Sequence, residues 1–273
     1  MPQVVLISGT GSGIGKITAL LLAQEGFIVY AGTRNPKGFN ISLENLHVLP
    51  LDITDNESIK AAVSTIEQEQ GRLDVLVNNA GYALVSTVED ATEQEMYDQF
   101  NINVFGIFRL CKAVTPLMRK NNRGVIVNIS SFLGKVGLPL FTFYNASKYA
   151  VEGITDSLRY ELAPFNIRTH SVMPGFFSTN FAKTNLVLNS ATTQQTNPYQ
   201  QSLGNLIPNI KSQIDEGNDA KDAAKLIHQI IIDNHSPARA TIGDKAHKFL
   251  PMRRELSDED FERRVRDYFK LNG

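Results

Sequence analysis

Tyr144 and Lys148 stand four residues apart in Tyr-Asn-Ala-Ser-Lys (144–148), and Ser131 precedes the tyrosine by thirteen positions. On a helix such an i, i+4 pair shares one face, about 6 Å apart along the axis. An ammonium beside a phenol favours the phenolate. The spacing therefore predicts a Tyr144 pKa below its ordinary value and makes the residue a candidate general acid/base. Ser131 ends the apolar run Gly-Val-Ile-Val-Asn-Ile-Ser-Ser (124–131), which reads as a buried strand. A strand ending in a hydroxyl and a following helix carrying phenol and amine can meet at one oxygen atom, holding it and protonating it. Ser130 is the alternative hydroxyl.

Elements that could position such a set begin at the N-terminus. Val4-Val-Leu-Ile7 reads as a buried strand, and Gly9-Thr10-Gly11-Ser12-Gly13-Ile14-Gly15 follows it. Ile17, Leu20, Leu21 and Leu22 then recur at helical spacing. A strand, a glycine turn and a helix start form an anion site, because backbone N–H groups and the helix dipole point at whatever phosphate rests there. The spacing is Gly-x-x-x-Gly-x-Gly, not the Gly-x-Gly-x-x-Gly of the widely quoted dinucleotide fingerprint.

Three more segments fall in sequence: Leu73–Asn78 with Asn79, Ala80 and Gly81; Asn101-Ile-Asn103 inside a helical pattern opened by the capping box Thr92-x-x-Glu95; and Pro174-Gly175-Phe-Phe177-Ser-Thr179 after the strand 167–172. Strands at 3–8, 27–32, 47–51, 73–78, 124–130 and 167–172 alternate with helices at 13–25, 55–70, 92–120 and 143–163. A helix at 219–233 and a strand near 239–242 complete the pattern. This alternation predicts an α/β fold, a parallel sheet covered on both faces, with every motif above at a strand's carboxyl end.

The 27 basic and 28 acidic residues leave a net charge of −1, with no block of like charge suited to nucleic acid. Arg253, Arg254, Arg263, Arg264 and Arg266 are interleaved with acids and read as a solvated helix face. Cys111, the one cysteine, permits neither an internal disulfide nor a cysteine metal cage and reads as a core residue; no metal site is expected. The first strand begins by residue 4 and no apolar run approaches a membrane span, so a cytoplasmic protein with no membrane span is expected. Residues 180–201 are rich in Asn, Thr, Ser and Gln and read as a mobile insertion, either a substrate lid or a disordered loop. The tail places Phe261, Val265, Tyr268 and Phe269 on one helix side, for packing on the body or on a partner subunit.

These motifs together resemble the short-chain dehydrogenase/reductase family, over about residues 3–245. The resemblance implies a Rossmann-type doubly wound parallel sheet in a single domain with a C-terminal helical extension: residues 1–245 as the catalytic domain, with 180–215 as its lid, and 246–273 as the extension. It implies a catalytic set of Asn103, Ser131, Tyr144 and Lys148. Lys148 would bind the nicotinamide ribose, and Asn103 would bind a water linking Lys148 to solvent. Cofactor contacts would come from Gly9, Thr10, Ser12, Gly13, Ile14, Gly15, Asn79, Ala80, Gly81, Pro174, Gly175, Phe177 and Thr179, besides Tyr144 and Lys148. Ser8 stands where the family more often has Thr and should serve the same hydrogen bonds. Thr33 replaces the Asp of members that prefer NAD, and Arg34 follows. A guanidinium pairs with a 2′-phosphate that an Asp would repel, so NADP(H) is expected, with Lys37 as a further contact. Asp52 and Ile53 would meet the adenine, while Thr54 and Glu57 form a capping box for the next helix.

Leu84, Val85, Phe132, Leu133, Val136, Leu138, Phe141, Phe143, Phe176 and Phe177 lie near the tetrad in sequence, without a cluster of Lys or Arg. They predict an apolar pocket for a small lipophilic ketone or secondary alcohol. Gly137-Leu-Pro139, Val151-Glu152-Gly153 and Phe249-Leu-Pro251 look similar to the 17β-hydroxysteroid and retinol dehydrogenase branch. The alternatives are a ketoacyl-thioester reductase and an NADPH-sensing regulator without chemistry. Helices 92–120 and 143–163 resemble the family's subunit surface, which implies a homodimer or homotetramer.

Overall fold

The protein, a computed structural model, is described at residues 2–39, 41 and 43–271. Strand β1 (Val4–Ser8) leads to helix α1 (Gly13–Gln24), and β2 (Ile28–Thr33) and β3 (Leu46–Pro50) precede α2 (Asn56–Gln70). Then come β4 (Val75–Asn78), the short β5 (Ala83–Val85), α3 (Glu93–Phe100) and α4 (Gly106–Lys120). The strand β6 (Gly124–Ile129), helix α5 (Thr142–Leu162) and strand β7 (Ile167–Pro174) carry the chain to β8 (Phe177–Ser178). Next are α6 (Phe181–Thr184), β9 (Leu186–Leu188), α7 (Gln200–Leu203), α8 (Leu206–Asp215) and β10 (Asn218–Asp219). The chain ends in α9 (Ala220–Ile232), β11 (Arg239–Ile242), α10 (Asp244–Glu255) and α11 (Asp258–Phe269).

Seven strands form one sheet in the order β11-β7-β6-β4-β1-β2-β3, with every pairing parallel. Strand alternation sorts the core. Val4, Leu6, Leu76 and Ile126 face α2, α4 and α5, where they meet Ile66, Leu110, Val114 and Val151. Val5, Ile7, Val29 and Val77 face α1 and α9, meeting Ala19, Leu22, Ile227 and Ile231. Both faces are covered, which is why these strands read as unbroken apolar runs. Truncating fully buried Ile126 to Ala would cost about 2–5 kcal/mol through lost transfer energy and the cavity left. The order reverses between β1 and β4, and at such a point the loops at the strands' carboxyl ends part to leave a crevice.

The expected 92–120 helix is interrupted. Thr92 and Glu95 do form the capping box of α3, but Asn101–Phe105 is a π-helical turn before α4 resumes. Asn103 is buried within it, its amide clamped on the Tyr82 backbone; extra residues in a helical turn often mark functional positions. Helix α2 is capped by Asp55, whose carboxylate accepts the Glu57 N–H, so Thr54 and Glu57 make no capping box. Thr54 instead donates its hydroxyl to Asp52. In α1 the buried face is Gly15, Thr18, Ala19, Leu22 and Ala23, shifted from the expected leucine stripe because α1 is sandwiched between the sheet and α9.

Segment 180–201 is folded where a mobile insertion was expected. Strand β9 pairs with β5, and the Asp90 carboxylate accepts hydrogen bonds from Thr192 and Asn197. Asn189 donates to Glu95. Its polar composition serves this network rather than solvation. The tail behaves as its pattern predicts: Phe261, Val265 and Phe269 are buried and join Phe132, Phe176 and Phe249 in a third apolar cluster. Arg253, Arg263 and Arg266 of the tail pair with Asp258, Asp260 and Glu262. Cys111 is buried in the α4 core. No helix among the described residues is long and apolar enough to cross a membrane.

Candidate active site

The turn after β1 rests directly on the turn after β4. Gly9 has φ +71°, and a Cβ there would stand 2.7 Å from the Ala80 Cα. Ser8 fixes the contact: its hydroxyl accepts the N–H groups of Asn79 and Ala80, both at 3.1 Å. Asn79 donates its side-chain amide to the carbonyls of Ser8 and Gly9, each at 3.0 Å. Ser12 is the N-cap of α1 but makes no side-chain capping bond, so the first-turn N–H groups stay directed at the crevice. An anionic ligand that approaches the bare backbone at Gly11 and Gly13 fits this cradle.

A cavity of about 800 Å3 runs along the crevice. Gly9, Ser12, Gly13 and Ile14 line one end with Thr33, Arg34, Asp52 and Ile53; Asn79, Ala80 and Gly81 line the middle. Pro174, Gly175, Phe177 and Thr179 close over it beside Ser131, Tyr144 and Lys148. Four expected contacts lie elsewhere. Thr10 is fully buried and donates its hydroxyl to the Gly32 carbonyl, tying the turn to β2. Gly15 lies beneath the turn, where a Cβ would come within 2.3 Å of the Asn79 amide nitrogen. Asn103 sits behind the wall, bonded to Tyr82 and to the Ser147 hydroxyl, so its side-chain amide is already committed. Lys37 lies in the exposed turn 36–38, off the cavity.

Thr33 is buried and its hydroxyl accepts the Asn35 N–H, while Arg34 is exposed at the rim. Burial works to raise the Asp52 pKa, but hydrogen bonds from Thr54, with Arg34 and Arg109 nearby, hold the carboxyl below its ordinary value. This end of the cavity therefore carries a carboxylate and a guanidinium near one another.

At the other end Tyr144 and Ser131 line the cavity together, and the Ser131 hydroxyl accepts the Leu133 N–H at 3.1 Å. Ser130 lines the cavity too, its hydroxyl buried and without a partner among the described residues. Lys148 donates to the Ile129 carbonyl at 2.8 Å, and its ammonium lies 5.7 Å from the Tyr144 ring centre. The expected lowering of the tyrosine is reversed. Burial pushes Tyr144 up to about 12 against the pull of Ser131, and burial brings Lys148 down to about 8 against the attraction of Glu152. Desolvation outweighs a charge that sits over the ring rather than beside the hydroxyl. Tyr144 is thus a phenol that keeps its proton through the neutral range.

Beyond Tyr144 the cavity is lined mainly by apolar side chains, with Thr184 and Asn185 among them and Glu95 and Asp98 also on the lining. Leu84, Leu133, Phe141, Phe176 and Phe177 line it as the sequence suggests, whereas Val85, Phe132, Val136 and Leu138 are packed in the core and Phe143 does not reach it. Phe181, Leu186, Val187, Ile210 and Ile214 complete the wall. Sequence reading passed over these, since they sit among the polar residues of 180–215; the i, i+4 pair Ile210 and Ile214 on α8 was the available signal.

The family described as short chain dehydrogenase matches residues 3–187. The 3-ketodihydrosphingosine reductase of Bacteroides thetaiotaomicron is 40% identical over 242 residues, covering 89% of this chain and 88% of that protein. A crystal structure of a short-chain dehydrogenase from Streptomyces avermitilis superposes with a TM-score of 0.83 at 32% identity, covering 98% of each chain. ElxO with NADP bound does so at 0.71 and 29%, covering 89% of this chain and 97% of that one. The chain belongs to the short-chain dehydrogenase/reductase family. It is an oxidoreductase acting on CH–OH groups, with a nicotinamide dinucleotide as its cofactor.

Proposed function

We propose that the protein reduces a lipophilic ketone with NADPH, Tyr144 serving as the proton donor. The observation that carries this is the junction of the two cavity halves. The cradle for an anionic dinucleotide and the apolar pocket meet where Ser131, Tyr144 and Lys148 converge. The 40%-identical relative named for 3-ketodihydrosphingosine supports a ketone on a long alkyl chain. Arg34 at the rim, with no acid at position 33, supports the phosphorylated cofactor.

The α1 amides and the glycine turn would hold the pyrophosphate, Arg34 the 2′-phosphate and Lys148 the nicotinamide ribose. When bound, the cofactor supplies hydride to the carbonyl carbon. Ser131 holds the carbonyl oxygen by hydrogen bond, and Tyr144 donates its proton as negative charge develops there. Its high pKa suits a donor in this direction. Residues 180–215 act as the lid, laying Phe181, Leu186 and Ile214 over the substrate and excluding water. Exposed Phe108 on α4 and Tyr149 and Tyr160 on α5 support assembly into a homodimer or homotetramer across these helices.

Tyr144→Phe is the test. It should bind NADPH like the parent, by fluorescence titration, and lose roughly 10²–10⁴ in turnover with long-chain ketones. Full turnover in this variant would remove the assignment.

A further inference from the structure

Glu152 lies one turn beyond Lys148 and two beyond Tyr144 on α5, so three ionisable side chains descend one helix face. The reaction above uses only the first two. Glu152 is 1% exposed, a place where a carboxylate is seldom found without a partner. Its Oε2 accepts from Arg239 Nε at 2.6 Å, and Arg239 also reaches Asp156 at 2.5 Å. Its Oε1 has no hydrogen-bond partner among the described residues. Lys148, also buried, has a carbonyl for a partner but no carboxylate within ion-pair distance among those residues.

Gly134 packs against this stretch of the helix. A Cβ at Gly134 would stand 3.0 Å from the Lys148 carbonyl oxygen, 3.2 Å from the Glu152 Cγ and 2.9 Å from the unpartnered Ser130 hydroxyl. The bare glycine lets the 132–134 turn press onto α5. Both side chains are buried, and attraction between charges at such depth acts over more than contact distance. The sheet fixes the register from below. Asn78, Asn128, Ser171 and Arg239 form one aligned row across β4, β6, β7 and β11. Two members of that row grip the helix: Asn128 donates to Thr155, and Arg239 holds Glu152 and Asp156.

We propose that Glu152 is the counter-charge of Lys148, a positioning residue that keeps the lysine cationic inside an apolar wall, with Arg239 holding it in place. The inference rests on Lys148 serving the site proposed above, but its test reads the lysine itself. Burial alone drives Lys148 toward its neutral form, and the Glu152 charge opposes this. The charged or titratable groups around Glu152 are Lys148 and Asp156 on its own helix and Arg239 on β11; the 130–134 segment brings only the Ser130 and Ser131 hydroxyls.

In protein labelled with 13C at lysine Cε, the Lys148 resonance is assigned by its loss in Lys148→Met and followed against pH. The midpoint should lie near 8 in the parent and fall by about one unit or more in Glu152→Gln. NADPH turnover should lose its alkaline limb at correspondingly lower pH, with the substrate KM little changed. A Glu152→Gln midpoint within a few tenths of the parent would overturn the proposal, since a merely structural glutamate would leave the titration in place. If Glu152→Gln fails to fold, Glu152→Asp decides: it keeps the carboxylate and should hold the parent midpoint to within a few tenths, and a fall of about a unit or more overturns the proposal. A parent protein that oxidises no NADPH with any ketone would remove the functional reading, and the titration would still judge Glu152.

Discussion

Replacing Arg34 by Ala should separate the two nicotinamide cofactors. Arg34 is exposed at the cavity rim, directly after buried Thr33 and within electrostatic reach of Asp52. A hydrogen bond to a charged group contributes about 1.5–3 kcal/mol, and a guanidinium can place two on one phosphate. Exposure screens the pair, which argues for the value of one such bond rather than two. NADPH affinity should then fall about 10- to 150-fold, while NADH affinity, which involves no 2′-phosphate, stays within about twofold. Fluorescence titration of both cofactors against the parent and Arg34→Ala measures this directly. Repeating the NADPH series at rising salt should shrink the parent's advantage, because the contact is partly screened already. Equal weakening of both cofactors would refute the reasoning and return Arg34 to an ordinary surface charge.

Lys148→Met should abolish turnover yet stabilise the fold by on the order of 1–2 kcal/mol at pH 7, since a buried ammonium with a depressed pKa costs folding energy. For a lysine whose folded pKa falls to about 8, that cost is fully present below pH 8 and fades as pH rises toward the unfolded value near 10.4. Urea melts at pH 7 and pH 10 should therefore show the gap narrowing, and a destabilised variant at pH 7 would contradict this. Gly9→Ala should cost about 2–5 kcal/mol, combining left-handed backbone strain with a clash at 2.7 Å against Ala80, and should depress NADPH binding beyond the stability loss. Asp90→Ala should release Thr192 and Asn197, raising the ketone KM while leaving NADPH affinity unchanged; equal effects on both would argue that the 189–197 segment serves stability alone.

The sheet was readable because both its faces are covered: runs such as Val4–Ile7 and Leu73–Val77 have no other use for so many branched apolar residues. The site was readable where backbone chemistry or fixed spacing constrains the residue, as at Gly9, Gly13, Ser131, Tyr144 and Lys148. Reading failed where one residue type serves two ends. Thr10 and Gly15 belong to the same turn as the lining residues, but one hydroxyl turns inward to β2 and one missing side chain makes room for Asn79. Charge proximity suggested an acidic Tyr144, and burial, which one short motif cannot reveal, reversed the direction. The π turn at Asn101–Phe105 went unread because it shows in sequence only as a single one-residue phase slip, about 100° on a helical wheel, inside a long helical pattern. Segment 180–201 looked unstructured because its order comes from Asp90 and Glu95, partners distant along the chain.

Helices α10 and α11 supply Phe249, Phe261, Val265 and Phe269 to the cluster that also holds Phe132 and Phe176, immediately beneath the reacting end of the cavity. The wall of the crevice beside Ser131 and Tyr144 therefore rests on the C-terminal helices, although the glycine turn lies at the opposite end of the sequence. A chain that stops before α10 should uncover Phe132 and Phe176 and slacken that end of the cavity.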